Sequence, residues 1–364
     1  MPHKSSLFSL AALTRAYRRN LAALVRVAKP VKGKKRAPVQ SSAVARKAAR
    51  AAPRRTTPLA GTSSEWLVGI APGPAGARRF HLFVPAGLAP APGELFPLLV
   101  MLHGCGQTGR DLAASSRMNR LAARKRFLVL YPEQERVANA HGCWNWYDRR
   151  SGKADAEAAT LLAAVDQVAR RHPVDLGRVA VAGLSAGGSM AALLGARYPS
   201  RFCAVVMHSG VAPGTAESAA TAVAAMRGSR DAHLPIAQAP LPAGGLGGDG
   251  AAADRQPLPP LLILHGDADG VVSVRNAAAT AVLWASAAGA RATASRTLRR
   301  GQRYPMQAME FKAHGQVVVS VREITGLGHA WSGGAPGLPH SDPAGPDASA
   351  LAWAFVARQF GLLA

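Results

Sequence analysis

From about residue 65 onward, short apolar runs alternate with stretches in which apolar residues recur every three to four positions. The first pattern predicts buried β-strands and the second predicts amphipathic helices. The apolar runs predict strands at Phe80–Val84, Leu98–Leu102, Phe127–Tyr131, Val179–Ala182, Ala204–Met207 and Leu261–Leu264. The helical pattern covers Asp111–Lys125, Ala156–Arg171, Ala186–Arg197, Ser273–Ala287 and Asp347–Phe360. Such alternation is typical of an α/β fold with a mostly parallel central sheet flanked by helices.

Two segments interrupt the alternation. Residues 211–256 are rich in alanine, glycine and proline, and they predict a small insertion over the sheet edge. Residues Met306–Ala313 and Val317–Ile324 are joined by His314-Gly315 and predict a β-hairpin.

The first 64 residues form a separate basic arm. Lys and Arg number 44 against 20 Asp and Glu, a net charge of +24. Residues 1–60 hold 15 of the basic residues and no acidic one, so the rest carries 29 basic against 20 acidic residues. Apolar positions from about residue 6 to 28 fall on one side of a helix and arginines on the flank and opposite side. A charged Lys/Arg/Ala/Pro linker follows, and a folded domain is expected over 65–364.

A serine lies where a predicted strand meets the following helix. Residues 183–187 read Gly-Leu-Ser-Ala-Gly, directly after the strand RVAVA and at the start of the helix SAGGSMAALLGARY. Small neighbours allow a sharp strand-to-helix turn that holds the hydroxyl exposed in a strained backbone conformation. A glycine-rich turn with an idle serine is the alternative. The context favours Ser185 as a nucleophile, which needs a histidine to accept its proton.

In that arrangement the acid and the histidine follow the serine, at the ends of later strands. The segment PLLILHGDADGVV places Asp267 and Asp269 after a strand, and we favour Asp269; the alternative is a surface aspartate that caps the next helix. Three histidines remain beyond this loop. Because His314 lies in the predicted hairpin turn and His340 in a Pro/Gly-rich loop, His329, on a Gly-flanked loop, is the candidate base.

An acyl-transfer site also needs backbone N–H groups for the oxyanion. One is expected from Ala186, directly after the serine at a helix N-terminus. The other is expected from residues 103–106, His-Gly-Cys-Gly, here called the oxyanion loop, where glycines let the backbone approach a substrate. Within that loop Cys105 is the predicted donor.

Eight segments together resemble, in order, the motifs of the poly(3-hydroxybutyrate) depolymerase family of esterases. They are LHGCGQ (102–107), RMNRLA (117–122), YPEQ (131–134), CWNWYD (143–148), GLSAGGSMA (183–191), HGDADGVV (265–272), GLGHAWSGG (326–334) and SDPAGPDAS (341–349). The resemblance covers about residues 65–362. It implies an α/β-hydrolase fold in the type I arrangement, with the insertion after the nucleophile helix and its next strand.

The resemblance also implies a chemistry. It places a triad at Ser185, Asp269 and His329 and an oxyanion donor at Cys105, with no metal or cofactor. The implied reaction is hydrolysis of poly(3-hydroxybutyrate) or short-chain 3-hydroxyalkanoate oligomers through an acyl-enzyme. Feruloyl and acetylxylan esterases share the fold and several motifs, so a plant-wall ester is the alternative substrate.

Aromatic residues adjoin these motifs. Trp144, Trp146, Tyr147 and Trp331 are candidates for an apolar wall beside the acyl pocket, with core packing as the equal alternative.

The three cysteines and the N-terminus bear on location. Cys105 and Cys143 pair if the family's geometry holds, and a disulfide would indicate an oxidising compartment. Cys203 lies on an apolar strand and is predicted to be a core residue. Secreted members of the family usually carry a signal peptide and a polymer-binding domain. Since neither is recognisable, we expect a cytoplasmic or granule-associated protein, with an extracellular one as the alternative.

The arm predicts a surface as its partner. Residues 6–55 suit a polyester granule or an anionic membrane, because an apolar stripe edged by arginines can lie at such a boundary. The alternative is packing against the folded domain. Nucleic acid is a weaker expectation, since no aromatic residues are interleaved with the basic tract. A non-enzymatic granule-coating or nucleic-acid-associated protein is a further alternative, although every triad element is present in order. The sequence leaves the oligomeric state open.

Overall fold

The computed structural model describes residues 63–88, 91, 93–235 and 256–363. The predicted N-terminal helix and its basic linker lie outside these residues, as does the second part of the predicted insertion. The first part contains one helix, α5 (Ala219–Met226).

One sheet organises the described residues. Its strands are β1 (Glu65–Ala71), β2 (Arg78–Val84), β3 (Phe96–Leu102), β4 (Leu128–Pro132), β5 (Val174–Leu184), β6 (Ala204–His208), β7 (Leu261–Gly266), β8 (Arg291–Ala292), β9 (Arg296–Leu298), β10 (Met306–Ala313) and β11 (Gln316–Ile324). The order is β1-β2-β4-β3-β5-β6-β7-β11-β10-β8, with β9 also paired to β10. The six strands from β4 to β11 in this order are parallel, and the strands outside them pair antiparallel.

Helices cover both faces of the sheet. They are α1 (Gly109–Ser116), α2 (Met118–Lys125), α3 (Lys153–Arg171), α4 (Ala186–Arg197), α6 (Arg275–Ala287) and α7 (Ala348–Gln359). Every residue of β3 is buried, with Leu98, Val100 and Leu102 in the core that includes α3, α4 and α6. Leu99 and Met101 belong to the opposite core, which includes α1, α2 and α7. Burial on both faces explains why the central strands are continuous apolar runs.

The structure confirms the six predicted strands and the hairpin, with small shifts at the ends. His314 and Gly315 both have positive φ, at 49° and 76°, as a tight two-residue turn between β10 and β11 requires. The prediction missed β1, an edge strand. The helix predicted over Asp111–Lys125 is wrong as one element, because Arg117 takes a left-handed conformation (φ 58°) and separates α1 from α2.

The order of the central strands creates a crevice. From β3 the chain moves to β4 on one side and then returns to β5 on the other. The loops that follow β3 and β5 therefore diverge at the carboxyl edge of the sheet, which is where α/β folds bind ligands. Two short strands, β12 (Trp331–Ser332) and β13 (Ser341–Asp342), pair with each other outside the main sheet. Within the described part of the chain, no helix has the length and apolar character to cross a membrane.

Candidate active site

The turn between β5 and α4 holds Ser185 in a strained backbone conformation. Its φ is 58° and its ψ is −119°, outside the regions that side-chain-bearing residues favour. The flanking glycines make the turn possible. A methyl group on Gly183 would stand 2.2 Å from the Gly187 carbonyl oxygen, and one on Gly187 would stand 2.1 Å from the Leu102 carbonyl oxygen. Only glycine at both positions lets the turn close against β3.

Three predicted residues from three loops meet at this point. The hydroxyl of Ser185 lies 2.8 Å from His329 Nε2, and His329 Nδ1 lies 2.7 Å from Asp269 Oδ2. These distances fit a serine that donates to an imidazole, whose other nitrogen donates to a carboxylate. The three side chains are separated by up to 144 residues of sequence, so the fold alone brings them together.

The carboxylate of Asp269 is buried but well supplied with donors. The backbone N–H groups of Val271 and Val272 donate to its Oδ1, each at 2.9 Å. Burial alone would raise the pKa of Asp269, but hydrogen bonds from His265, His329 and Val272 outweigh burial and hold the pKa well below its ordinary value. The group is therefore an anion at neutral pH, as a partner for an imidazolium must be.

Its rival Asp267 has a different place. Asp267 is exposed, and its Oδ1 accepts a hydrogen bond from the Gly326 N–H at 2.7 Å. The structure thus places Asp269, not Asp267, against His329. His314 lies in the hairpin turn between β10 and β11 and is not part of this group.

The oxyanion loop lies against the serine. A methyl group on Gly104 would stand 3.5 Å from Ser185 Cβ and the same distance from the Leu184 carbonyl oxygen. The N–H of Ala186 is at the first position of α4, where helices have no internal acceptor for the group. A disulfide joins Cys105 of the loop to Cys143, as the resemblance implied.

A family-model comparison matches the description "Esterase PHB depolymerase" over residues 79–303, more than half of the chain. The chain belongs to the PHB depolymerase esterase family. The matched residues of this family member include Ser185, Asp269 and the disulfide, whereas His329 lies beyond them.

Curated relatives of this family member carry several ester-hydrolase names. It is 31% identical over 234 residues to poly(3-hydroxyalkanoate) depolymerase C of Paucimonas lemoignei, covering 64% of this chain and 54% of the relative. It is 32% identical over 146 residues to feruloyl esterase B of Neurospora crassa, covering 40% of this chain and 48% of the relative. The chain therefore spans about half the length of these two curated relatives.

A solved structure has the same architecture. Acetyl xylan esterase from Aspergillus awamori aligns with a TM-score of 0.55 at 20% identity, over 73% of this chain and 94% of that chain. The fold of this family member is the α/β-hydrolase fold, with the mostly parallel sheet and flanking helices described above.

Motif residues of the family support the oxyanion loop from below. The indole N–H of Trp144 donates to the His103 carbonyl oxygen at 3.0 Å, and the Gln134 N–H donates to His103 Nε2 at 3.1 Å. Burial lowers the pKa of His103 to about 4, which keeps the ring neutral. The loop is thus fixed through one buried imidazole and one buried indole.

Beneath these contacts lies a buried carboxylate, Glu157 of α3. It pairs with Arg78 at 3.2 Å and accepts hydrogen bonds from Gln134 Nε2 at 2.7 Å, Asn145 Nδ2 at 2.6 Å and the Asn145 N–H at 2.8 Å. Sequence reasoning missed this group. Glu157 falls on the helix face that also carries Leu161 and Ala164, and a carboxylate on an apolar face indicates a buried partner.

Two of the predicted substrate-contact residues are core residues. Trp144 and Trp331 are fully buried, and the indole N–H of Trp331 donates to Ser349 Oγ at 3.1 Å. Both rings pack in the core in this structure, which is the alternative given with their prediction as substrate contacts. Trp146 is partly exposed and meets Tyr147 edge-on at 5.5 Å between ring centroids.

The prediction for Cys203 also needs correction. The residue directly precedes β6 and is only partly buried, with its thiol 2.8 Å from the Gly177 carbonyl oxygen. The apolar run does begin at the next residue, Ala204, which explains the error. Across the described ranges, no group of three or more His, Cys, Asp or Glu side chains is arranged to hold a metal ion.

Proposed function

We propose that the protein is a serine carboxylester hydrolase that works through an acyl-enzyme. The observation that carries this proposal is the continuous chain from the Ser185 hydroxyl through His329 to Asp269, with bonds of 2.8 and 2.7 Å. Family membership supports the same reaction class. Geometry of this kind serves acyl transfer on many folds.

Each group has one role in the proposed reaction. Ser185 Oγ attacks the ester carbonyl carbon as its proton passes to His329 Nε2, and Asp269 stabilises the imidazolium that forms. The N–H groups of Cys105 and Ala186 hold the oxyanion. Collapse expels the alcohol, which takes the proton from His329, and leaves an acyl ester on Ser185. Water then attacks this ester, losing its proton to His329; Ser185 Oγ leaves the acyl carbon and takes that proton back, and the acid is released.

A pair of variants tests this proposal. Ser185→Ala should lower kcat on p-nitrophenyl butyrate by orders of magnitude without changing the unfolding transition, because only the nucleophile is removed. Full activity in that variant would refute the proposal. Thr280→Val is a matched control, since it removes a buried hydroxyl whose hydrogen bond goes to Asn276 of its own helix.

For the substrate we propose a short-chain 3-hydroxyalkanoate ester, as an oligomer or as amorphous polymer. Membership of the PHB depolymerase family and the poly(3-hydroxyalkanoate) depolymerase relative support this choice. Feruloyl or acetylxylan ester is the second candidate, because relatives and the Aspergillus awamori structure carry those names. Release of 3-hydroxybutyrate from amorphous polymer should exceed release of ferulate or acetate from xylan; the reverse ranking would favour the second candidate.

We further propose that residues 6–55 hold the enzyme at an apolar, anionic surface, with a polyester granule preferred over a membrane. The sequence of that segment supports the proposal, because helical spacing puts the leucines on one side and the arginines on the flank and the opposite side. Deleting residues 1–60 should leave turnover of a soluble ester nearly unchanged and sharply lower binding to amorphous granules. Equal granule binding with and without the arm would refute it.

Location and a non-enzymatic role can be tested with the same preparation. The Cys105–Cys143 disulfide supports the extracellular alternative, since such bonds persist in oxidising compartments. Recovery of the protein from culture medium would support that location. Purified protein without esterase activity but with tight, salt-sensitive DNA binding would instead favour a nucleic-acid-associated role.

A further inference from the structure

Two fully buried histidines stand beside the candidate triad without belonging to it. His208 ends β6, and His265 is the penultimate residue of the neighbouring strand β7. Both side chains are at the carboxyl edge of the sheet, where the segments that carry Asp269 and His329 begin. The chemistry proposed above uses neither of them.

His265 is bonded to the loop that carries Asp269. Its Nε2 lies 2.9 Å from the Val272 carbonyl oxygen and 3.5 Å from Asp269 Oδ2. A carbonyl oxygen only accepts, so the proton of the ring is on Nε2. Its buried Nδ1 has no hydrogen-bond partner within the described residues, and a second proton there would be an unpaired buried donor. His265 therefore donates through Nε2.

Val272 couples this donor to the carboxylate. Its C=O accepts from His265, while its N–H donates to Asp269 Oδ1 at 2.9 Å. The Asp269 N–H also donates back to the Gly266 carbonyl oxygen at 3.3 Å, which closes the turn on the strand end. The imidazole of His265 thus fixes the far end of a turn whose middle residue is Asp269.

His208 is bonded to the segment that carries His329. Its Nε2 accepts the Ser332 N–H at 3.2 Å, and its Nδ1 lies 3.2 Å from Ser209 Oγ. The ring also stacks on Trp331, with ring centroids 5.2 Å apart. Since Nε2 accepts, the proton is on Nδ1 and the His208 ring is neutral. Ser332 follows His329 by three residues, so the contact limits movement of that histidine.

From these contacts we infer that His208 and His265 are positioning residues that hold His329 and Asp269 in register for proton transfer. The inference rests on the proposed function. A displacement of the acid–base pair by about 1 Å costs about a hundredfold in rate, so fixing both segments has a measurable effect.

The test compares phenylalanine and glutamine at each position. His265→Phe and His208→Phe keep an aromatic ring, somewhat larger than imidazole, but remove the hydrogen bond. His265→Gln keeps a donor and His208→Gln keeps an acceptor. We expect each phenylalanine variant to lose about tenfold to a hundredfold in kcat on p-nitrophenyl butyrate with a much smaller change in KM. Each glutamine variant should recover most of that loss. Thr280→Val should keep wild-type kcat even if it unfolds at a lower temperature.

A spectroscopic readout separates this inference from the proposed function. The proton between His329 Nδ1 and Asp269 Oδ2 should give a low-field proton NMR line, assigned by its loss in Asp269→Asn. The line should shift or broaden in both phenylalanine variants and return in the glutamine variants.

Wild-type kcat together with an unchanged line in both phenylalanine variants would overturn the inference, even where Ser185→Ala is inactive. If the wild-type protein hydrolysed no ester, the proposed function would fail. The line would then decide the inference alone, and an unchanged line would reject it.

Discussion

The two halves of the candidate active site are held at the same sheet edge by different chemistry. The oxyanion loop is supported by a disulfide, by the His103 imidazole and the Trp144 indole and, beneath these, by the buried Arg78–Glu157 pair. The segments that carry Asp269 and His329 are bonded, through backbone groups, to the buried imidazoles of His265 and His208.

The difference follows from what each half has to do. Backbone donors need only a fixed position, so a covalent bond and an ion pair beneath them do no harm. An imidazole that gains and loses a proton responds to every charge nearby, because charges interact strongly in a buried site. On that side the supports are hydrogen bonds between imidazoles and backbone groups, and Asp269 is the carboxylate in contact with His329.

The largest expected effect comes from changing the carboxylate that contacts His329. Asp269→Asn should lower kcat by about ten-thousandfold, because an amide favours the wrong tautomer of His329. Asp267→Asn is the matched control and should be mild, since an asparagine oxygen can still accept the Gly326 N–H. Steady-state kinetics on a p-nitrophenyl ester measures both, and the reverse ranking would show that the wrong carboxylate is assigned.

A second change removes the buried carboxylate beneath the oxyanion loop. Glu157→Ala leaves the Arg78 guanidinium buried without its partner and should cost about 3 to 5 kcal/mol in the free energy of unfolding. Glu217→Ala removes an exposed partner of Arg150 and should cost at most about 1 kcal/mol. Urea unfolding measures both, and equal costs would contradict the structural role given to Glu157.

The dependence of stability on acid pH tests whether His103 and His208 are neutral in the folded protein. Burial lowers the pKa of His103 to about 4 and that of His208 to about 3, from an ordinary value of 6.5. Below pH 6.5 the unfolded chain therefore binds more protons at these rings than the folded protein does, so stability falls as pH falls. Glu133 acts in the opposite direction, because burial raises its pKa to about 7 and the folded protein binds the extra proton.

Between pH 6.5 and pH 5 the free energy of unfolding should therefore fall by on the order of 2 kcal/mol. The fall should be steeper in Glu133→Gln, which removes the opposing group. Urea unfolding at a series of pH values provides the measurement. A stability that rises towards pH 5 would mean that His103 and His208 are not held neutral.

The smallest expected effect concerns the tryptophans of the CWNW segment. Trp144→Phe removes the donor to the His103 carbonyl oxygen and should cost about 1 kcal/mol of stability. It should also lower kcat, because the oxyanion loop loses a fixed point. Trp146→Phe keeps an aromatic ring at a partly exposed position and breaks no such bond, so its unfolding transition should stay nearer to that of the wild type. A larger loss of stability in Trp146→Phe would contradict these assignments.

The sequence predicted the parts of the fold that depend on local pattern. Buried strands such as β3 and β7 are continuous apolar runs, so they could be located from the pattern of apolar residues along the chain. The edge strand β1 was missed although its residues 66–71 read WLVGIA, an apolar run in which Val68 and Ile70 are exposed because the strand lies at the sheet edge. The break at Arg117 was missed because a single left-handed residue leaves the helical spacing on either side intact.

The residues of the candidate site also differ in whether the sequence could predict them. Ser185, Asp269 and His329 could be chosen because the motif and the chain order restrict each to a few positions. The roles of Glu157, His208 and His265 could not be predicted, since each depends on partners from other elements of the fold. The burial of Trp144 and Trp331 could not be predicted either, because an indole beside a motif can face either a pocket or the core.

The central claim is that Ser185 is an activated nucleophile, and intact-protein mass spectrometry after treatment with diethyl p-nitrophenyl phosphate tests it most directly. Attack by Ser185 Oγ forms a diethylphosphoryl ester and releases p-nitrophenolate. The account predicts one added group per chain, located on Ser185 by peptide mapping. Labelling should be absent in Ser185→Ala and slowed by about a hundredfold or more in His329→Ala. An unlabelled wild-type protein, or label on another residue with Ser185 unmodified, would contradict the account.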